Sequence, residues 1–267
     1  MSLMGLPTVA LRCQHFGEAG PALLILHGLF GAGRNWYSLA RKLAGEFQVH
    51  VPDLRGHGES PQQGPIDYPH MAADVVALMA RESLASAGLM GHSMGGKVAM
   101  MVALHHPERV EKLIVVDIAP VQYGHRFDHV IEAMRALPLE RIHSRREAEE
   151  WLCQHLDNPL VCQFLLQNLV ADDHTYRWRI DLDLIAAALP NIVSFPLDGR
   201  VKPYEGPTLF VAGGRSEYLK PQYHQAIRTL FPNARIQTIE NAGHWVHIDE
   251  PDAFLRAVRC FLHGGQH

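Results

Sequence analysis

The sequence predicts an α/β protein in which helices cover both faces of a mostly parallel sheet. Short apolar, β-branched runs alternate with helical patterns along most of the chain. The 267 residues, 47% of them hydrophobic, are enough to bury a large core. The alternation stops between about residues 121 and 203, where the patterns are helical only, and such a stretch is too long for a simple connection. We therefore expect a core formed by residues 1–120 and 204–267, with an inserted helical cap at 121–203.

The elements follow from local patterns, taken in order along the chain. Strands are apolar runs of four to six residues between turn-forming residues, and helices carry apolar residues at helical spacing. The core strands are predicted at Val9–Cys13, Ala22–Leu26, Val49–Pro52, Leu89–Gly91, Leu113–Asp117, Thr208–Ala212 and Ala234–Ile239. The core helices are predicted at Trp36–Leu43, Tyr68–Ala85, Met94–His105, Pro221–Phe231 and Pro251–Leu262. The cap helices are predicted at Phe127–Leu137, Ser144–His155, Leu160–Val170 and Leu182–Leu189.

Composition excludes several classes of protein. The formal net charge is −4 and no basic cluster is present, which argues against a nucleic-acid partner. No apolar run approaches the roughly 18 residues of a membrane span, and the N-terminus does not resemble a secretory signal. The four cysteines form no C-x-x-C pair, which favours thiols in a reducing cytoplasm. We expect a cytoplasmic protein with a small-molecule substrate.

The most informative motif is Gly91-His92-Ser93-Met94-Gly95, which has the G-x-S-x-G pattern of a nucleophile elbow. It stands between a predicted strand and a predicted helix, the setting that the motif requires. Glycines flank the serine because a Cβ at either position would collide with the neighbouring strand or helix. Ser93 is therefore the predicted nucleophile.

A serine hydroxyl needs a base, and His244 is the predicted one. It follows Asn241-Ala242-Gly243, directly after the last predicted strand, so it should reach the same sheet edge as Ser93. His247 is the weaker candidate and is expected to be a partly exposed loop residue.

Two backbone amides should stabilise the oxyanion. One is predicted at Met94, the residue after the nucleophile. The other is predicted at Leu29, in the loop His27-Gly28-Leu29-Phe30-Gly31, where the glycines let the backbone approach the reacting carbon.

The acid that orients the histidine has two candidates. The position after the strand Thr208–Ala212 where an aspartate is usual holds Ser216, with Glu217 beside it. Asp117 ends the preceding strand at the same edge, and geometry rather than chain order defines a triad. We favour Asp117 over Glu217, with Ser216 as a hydrogen-bonding helper.

These motifs together resemble the α/β-hydrolase superfamily and, within it, the YbfF-type esterase branch. The resemblance implies the α/β-hydrolase fold, cleavage of esters or thioesters, Asp117 as the acid and Ser216 as an accessory residue. It covers nearly the whole chain, through His27-Gly28-Leu29-Phe30-Gly31, Gly91-His92-Ser93-Met94-Gly95-Gly96-Lys97, Val116-Asp117-Ile118-Ala119-Pro120, Gly213-Gly214-Arg215-Ser216, Tyr176-Arg177-Trp178-Arg179 and Ala242-Gly243-His244-Trp245-Val246-His247.

A substrate pocket is expected between the cap and the sheet edge. Arg177 and Arg179 are weighed as contacts to an anionic leaving group such as coenzyme A, against the alternative of a salt-bridged surface. His125 and His129 have helical spacing but no third ligand, so no metal site is predicted there. The acyl-transfer chemistry predicted below needs no cofactor. The predicted pocket lining is Phe30, Ile118, Trp151, Phe164, Trp178 and Trp245.

The predicted chemistry is hydrolysis of a carboxylic ester or acyl thioester through an acyl-enzyme on Ser93. Two alternatives stay open. One is a serine-dependent carbon–carbon bond hydrolase, and the other is a non-catalytic receptor that keeps the pocket.

Overall fold

The computed structural model describes residues 3, 5–124, 127–172, 175–197 and 201–265. The strands of the main sheet in these residues are β1 Cys13–Phe16, β2 Ala22–Leu26, β3 Gln48–Pro52, β4 Ala87–His92, β5 Val110–Val116, β8 Thr208–Gly213 and β9 Ala234–Ile239. Their order across the sheet is β1-β3-β2-β4-β5-β8-β9, and all are parallel except β1, which is antiparallel to β3. The predicted α/β fold with a mostly parallel sheet is confirmed.

Helices cover both faces of this sheet because side chains alternate along each buried strand. Leu24 and Leu26 of β2 pack into one apolar cluster, and Leu23 and Ile25 pack into another on the opposite face. The helices of the core are α1 Tyr37–Leu43, α2 Tyr68–Arg81, α3 Met94–His105, α8 His224–Leu230, α9 Val246–Asp249 and α10 Pro251–Leu262.

The sheet register brings three strand ends to one edge. His92 at the end of β4 pairs with Val116 at the end of β5, and Val116 pairs with Val211 of β8. Ser93 and Asp117 come directly after β4 and β5. Both residues therefore lie at the carboxyl edge of the sheet, the usual place for a site in an α/β protein.

In its described residues, the 121–203 segment contains four α-helices and a two-stranded hairpin. The prediction of helices only was wrong here, because Leu169 pairs with Trp178 and Asp172 pairs with Thr175 in an antiparallel ladder. A short apolar run is compatible with either structure, and in this hairpin the strand pairing decides between them. The elements are α4 Asp128–Ala136, α5 Arg145–His155, α6 Pro159–Leu166, β6 Leu169–Asp172, β7 Thr175–Trp178 and α7 Leu182–Val193.

The first strand is also displaced from its prediction. It was expected at Val9–Cys13 and lies at Cys13–Phe16, where it pairs with β3. Val9 instead donates its backbone N–H to the buried Asp74 carboxylate, at 2.8 Å. In the described part of the chain, no helix has the length and apolar character needed to cross a bilayer.

Candidate active site

Ser93 lies in the turn between β4 and α3 with a strained backbone. Its φ of 53° and ψ of −119° belong to a region that residues other than glycine seldom adopt. Its N–H donates to the Val116 carbonyl at 3.0 Å, and its own carbonyl accepts from the Lys97 N–H at 3.1 Å. The backbone on both sides of the serine is thus fixed by its neighbours.

The glycines around Ser93 are required by close backbone contacts. A Cβ on Gly91 would lie 2.1 Å from the Gly95 carbonyl oxygen. A Cβ on Gly95 would lie 2.5 Å from the carbonyl oxygens of both Leu26 and His27. Real Cβ atoms do not approach backbone oxygens so closely, so the turn cannot form in this shape with other residues.

Asp117 is fully buried and accepts three hydrogen bonds. Its Oδ1 accepts from the Gly213 N–H at 2.9 Å, and its Oδ2 accepts from His244 Nδ1 at 2.8 Å and from the Ser216 hydroxyl. Its φ of 51° is one that Asp tolerates better than most residues. Because the carboxylate only accepts, the proton of His244 lies on Nδ1 and the lone pair on Nε2.

Glu217, the other candidate for the acid, has different surroundings. Its side chain is largely exposed and forms an ion pair with Lys220, three residues on. The His244 ring has its hydrogen bond to Asp117 and stacks on Tyr218 with ring centroids 4.1 Å apart. The geometry therefore supports Asp117 over Glu217.

The loop after β2 is held at Phe30, which has a φ of 60°. The Phe30 N–H donates to His57 Nε2 at 3.3 Å, and the Phe30 carbonyl accepts from Asn168 Nδ2 at 2.7 Å. Among the described residues, no acceptor faces the backbone N–H of Leu29 or of Met94. These are the two amides that the sequence assigned to the oxyanion.

Two buried histidines, His27 and His57, support this loop. His27 accepts from the Leu54 N–H through Nε2 at 2.9 Å and donates from Nδ1 to the Gly28 carbonyl at 2.8 Å. His57 donates from Nδ1 to the Arg55 carbonyl at 3.0 Å. Burial lowers the pKa of His27 and lowers the pKa of His57 to about 3, so both rings are neutral.

His92 and His247 support the histidine loop. His92 donates from Nε2 to the His244 carbonyl at 2.8 Å, and burial lowers its pKa well below the usual value. His247 was expected to be a partly exposed loop residue, and its side chain is indeed half-buried. It instead lies in α9, stacked on Trp36 with ring centroids 4.0 Å apart, and burial lowers its pKa to about 3.

Ser93 and His244 line one cavity of about 460 Å³, between the sheet edge and the 121–203 segment. Leu156 and Leu165 form part of its buried interior, whereas His155 and Asn158 are exposed at its mouth. The interior is therefore largely apolar, with the buried rings of His27 and His92 also in its lining, and the entrance is polar. Further lining residues are Phe30, Phe127, Val130, Val161, Phe164 and Trp245.

A second, smaller cavity of about 30 Å³ borders Ser93 on another side. Leu29 and Met94 line it together with Ile118. Of the six side chains predicted to line a pocket, Phe30, Phe164 and Trp245 border the larger cavity and Ile118 borders the smaller.

The other two predicted lining residues, Trp151 and Trp178, border neither cavity. Trp151 stacks on His155 with ring centroids 3.7 Å apart, and Trp178 donates its indole N–H to the Met134 carbonyl at 2.9 Å. Both indoles pack within the 121–203 segment. Large aromatic side chains are more often part of a core than of a pocket, and the sequence alone does not separate the two.

The charged residues singled out in the 121–203 segment have carboxylate partners. Arg177 pairs with Asp172 at 3.4 Å and Arg179 pairs with Glu59 at 3.7 Å. His129 lines the mouth of the larger cavity, and His125 lies outside the described residues.

Lys97 and Asn168 were not recognised from the sequence. Lys97 is buried, and its Nζ donates to the carbonyls of Val121, Val193 and Ser194 at 2.6–3.2 Å, so it contacts both ends of the 121–203 segment. Asn168 contacts the loop after β2 from that segment. Neither contact has a signal in the sequence, because the partners are backbone carbonyls far along the chain.

Comparison with known proteins places this geometry in context. A family model described as the alpha/beta hydrolase fold matches residues 21–251. The chain is 44% identical over 250 residues to the sn-1-specific diacylglycerol lipase ABHD11 of Mus musculus, covering 91% of this chain and 81% of that protein. It is 36% identical over 241 residues to the esterase YbfF of Escherichia coli, covering 90% and 92%. Among solved structures, a marine microorganism esterase matches with a TM-score of 0.91 and 37% identity, covering 95% of this chain and 100% of that one.

Proposed function

The chain belongs to the α/β-hydrolase family, in the branch of the esterase YbfF, and is a hydrolase of the esterase and lipase type. From this premise we propose that it cleaves carboxylic esters, or acyl thioesters, through an acyl-enzyme on Ser93. One observation carries the proposal. The serine on the strained turn shares a cavity with His244, whose Nδ1 is hydrogen-bonded to the buried Asp117.

The proposed reaction has two steps. Nε2 of His244 takes the proton of the Ser93 hydroxyl while the oxygen attacks the carbonyl carbon, and the N–H groups of Leu29 and Met94 stabilise the oxyanion. His244 then gives the proton to the departing alcohol or thiol. A water molecule, deprotonated by the same Nε2, attacks the acyl-enzyme and releases the acid and free Ser93.

The shape of the larger cavity supports an ester with an extended apolar group. Buried apolar side chains line the interior, and the polar residues at the mouth remain exposed. A diacylglycerol lipase among the relatives acts, by its name, on a lipid ester. We propose that the 121–203 segment is a cap that covers this apolar group while the ester lies at Ser93.

The reaction is tested with p-nitrophenyl esters of increasing acyl length and with matching thioesters. We expect saturable hydrolysis of the oxygen esters. In a Ser93→Ala variant the rate of hydrolysis should fall to slightly above the uncatalysed rate. Comparison of the two series gives the preference between oxygen esters and thioesters. Equal activity of the Ser93→Ala variant would overturn the proposal.

The role of the cavity is tested with two neighbouring positions on α6. Val161 lines the cavity, whereas Leu160 is exposed and does not line it. Val161→Trp should raise the KM for long esters more than for p-nitrophenyl acetate, and Leu160→Trp should leave both KM values close to wild type. If the two variants behave alike with long esters, the cavity does not hold the apolar group.

A further inference from the structure

A separate cluster of metal-binding side chain types lies at the other edge of the sheet, on β1 and β3. Strands β3 and β2 stand between β1 and β4, the strand that carries the Ser93 turn. Cys13 and His15 are two residues apart on β1, so their side chains share a face. His50 is the direct cross-strand partner of His15, which places it on that same face.

The side chains of these three residues converge. The Cys13 sulfur and one ring nitrogen from each histidine all lie within 4.8 Å of one another. In a tetrahedral zinc site, the bond lengths of about 2.0–2.3 Å place neighbouring ligand atoms about 3.3–3.6 Å apart. Movements of the ligand atoms by about 1 Å, through rotation of the side chains, would therefore bring all three into ligating positions.

His50 provides an independent observation that points to a ligand. It is more than nine-tenths buried, and its Nδ1 has no hydrogen-bond partner among the described residues. Buried ring nitrogens without a partner are uncommon in folded proteins.

The surroundings favour a cation. Glu82 accepts from His15 Nε2 at 3.1 Å, an arrangement that orients a ligating histidine and leaves its Nδ1 for the metal.

We propose that Cys13, His15 and His50 form a binding site for a borderline divalent cation such as Zn²⁺. One sulfur and two imidazoles are the ligand types that this cation prefers, and three protein ligands leave the fourth position to water. A bound ion would link the edge strand β1 to β3. It would act on the stability of the sheet edge and not on the chemistry at Ser93.

The test uses the untagged full-length protein, stripped of metal with a chelator and titrated with Co²⁺. We expect a thiolate-to-cobalt charge-transfer band that saturates near one equivalent and disappears when Zn²⁺ is added. Cys13→Ser should abolish the band, and His15→Gln, at a half-exposed position that tolerates change, should weaken cobalt binding at least about tenfold. Cys153→Ser is the matched control and should keep the band.

Ester hydrolysis by each variant reports whether it is folded, because the site is remote from Ser93. A wild-type protein without a thiolate band would overturn the proposal, since surface histidines alone cannot produce one. A band that survives in Cys13→Ser, or that is lost in Cys153→Ser, would also overturn it, because the thiolate would then belong to another cysteine.

Discussion

At the scale of single residues, the candidate site depends on backbone positions that few residue types accept. Ser93, Asp117 and Phe30 all have positive φ angles, and each is held by hydrogen bonds from a neighbouring strand or loop. Such strain persists only where the surrounding structure enforces it, and it is concentrated at functional sites. Ser93 is the proposed nucleophile, Asp117 is the proposed acid, and Phe30 lies in the loop proposed to stabilise the oxyanion.

The choice of the acid gives the first prediction. Asp117→Asn should lower kcat by about ten-thousand-fold, because an amide in place of the carboxylate favours the wrong tautomer of His244. Glu217→Gln should leave kcat close to wild type, since the Glu217 side chain is exposed and paired with Lys220. Steady-state kinetics on one p-nitrophenyl ester compares the two variants. If Glu217→Gln abolishes turnover and Asp117→Asn does not, the assignment is reversed.

The sequence predicted most of these residues because their signals are local. Ser93, Leu29 and Met94 belong to short glycine-containing motifs, and His244 and Asp117 follow buried strands. Cys13, His15 and His50 were not recognised as a cluster, because the strand pairing that joins them is not visible in their spacing. The neutral supporting role of His27 likewise depends on a contact with the distant Leu54.

At the scale of elements, the turn between β4 and α3 is the part whose shape is most constrained. Gly95 lies against the carbonyl oxygen of Leu26, the last residue of β2, and that of His27, the next residue. These oxygens cannot move without disrupting the end of the strand. Gly45, after α1, has no atom within 4 Å of the position that a Cβ would take. The same glycine-to-alanine substitution can therefore be compared at a crowded position, Gly95, and at an open one, Gly45.

Gly95→Ala should reduce the free energy of unfolding by about 1–3 kcal/mol or more, because the added methyl group overpacks the turn. It should also reduce kcat, since relief of the clash displaces Ser93. Gly45→Ala should change stability by no more than about 0.5 kcal/mol. Urea denaturation and ester hydrolysis measure both effects. A Gly95→Ala protein as stable and active as wild type would show that the turn is less constrained than we describe.

The accuracy of the predicted elements differs along the chain. β2, β9, α3 and α10 have the predicted type and the predicted bounds, because turn-forming residues or prolines lie next to their ends. The edge strand β1 and the hairpin β6–β7 were displaced or missed. Their positions depend on which strand each one pairs with, and local patterns do not specify a partner.

At the scale of the whole molecule, Lys97 connects the core to the 121–203 segment. Its Nζ donates to carbonyls at both ends of that segment, and it lies over the rings of Tyr68 and Tyr123. Burial lowers the pKa of Lys97 from 10.5 to about 7. The charged form is therefore disfavoured in the folded protein relative to the unfolded chain.

This lowered pKa predicts a pH dependence of stability. Between about pH 7 and 10.5 the unfolded chain binds more protons at this lysine than the folded protein does, so this lysine's contribution to stability increases with pH. Lys97→Met removes the titration. The difference in free energy of unfolding between wild type and Lys97→Met should shift in favour of wild type by up to about 1.4 kcal/mol per pH unit.

Urea denaturation of both proteins at pH 7, 8 and 9 measures that difference. Other groups that titrate in this range are common to both proteins and cancel. A difference that stays constant across the three pH values would contradict the placement of a titrating lysine between the core and the 121–203 segment.

The most direct test of the central claim is covalent labelling with a fluorophosphonate, which reacts with serines activated by a neighbouring base. The folded wild-type protein should gain one adduct, located by peptide mass spectrometry at Ser93, and His244→Ala should be labelled far more slowly. Denatured wild type and Ser93→Ala should not be labelled. If the folded protein resists the reagent, or if the adduct lies on another serine and persists in Ser93→Ala, then Ser93 is not an activated nucleophile and the account is wrong.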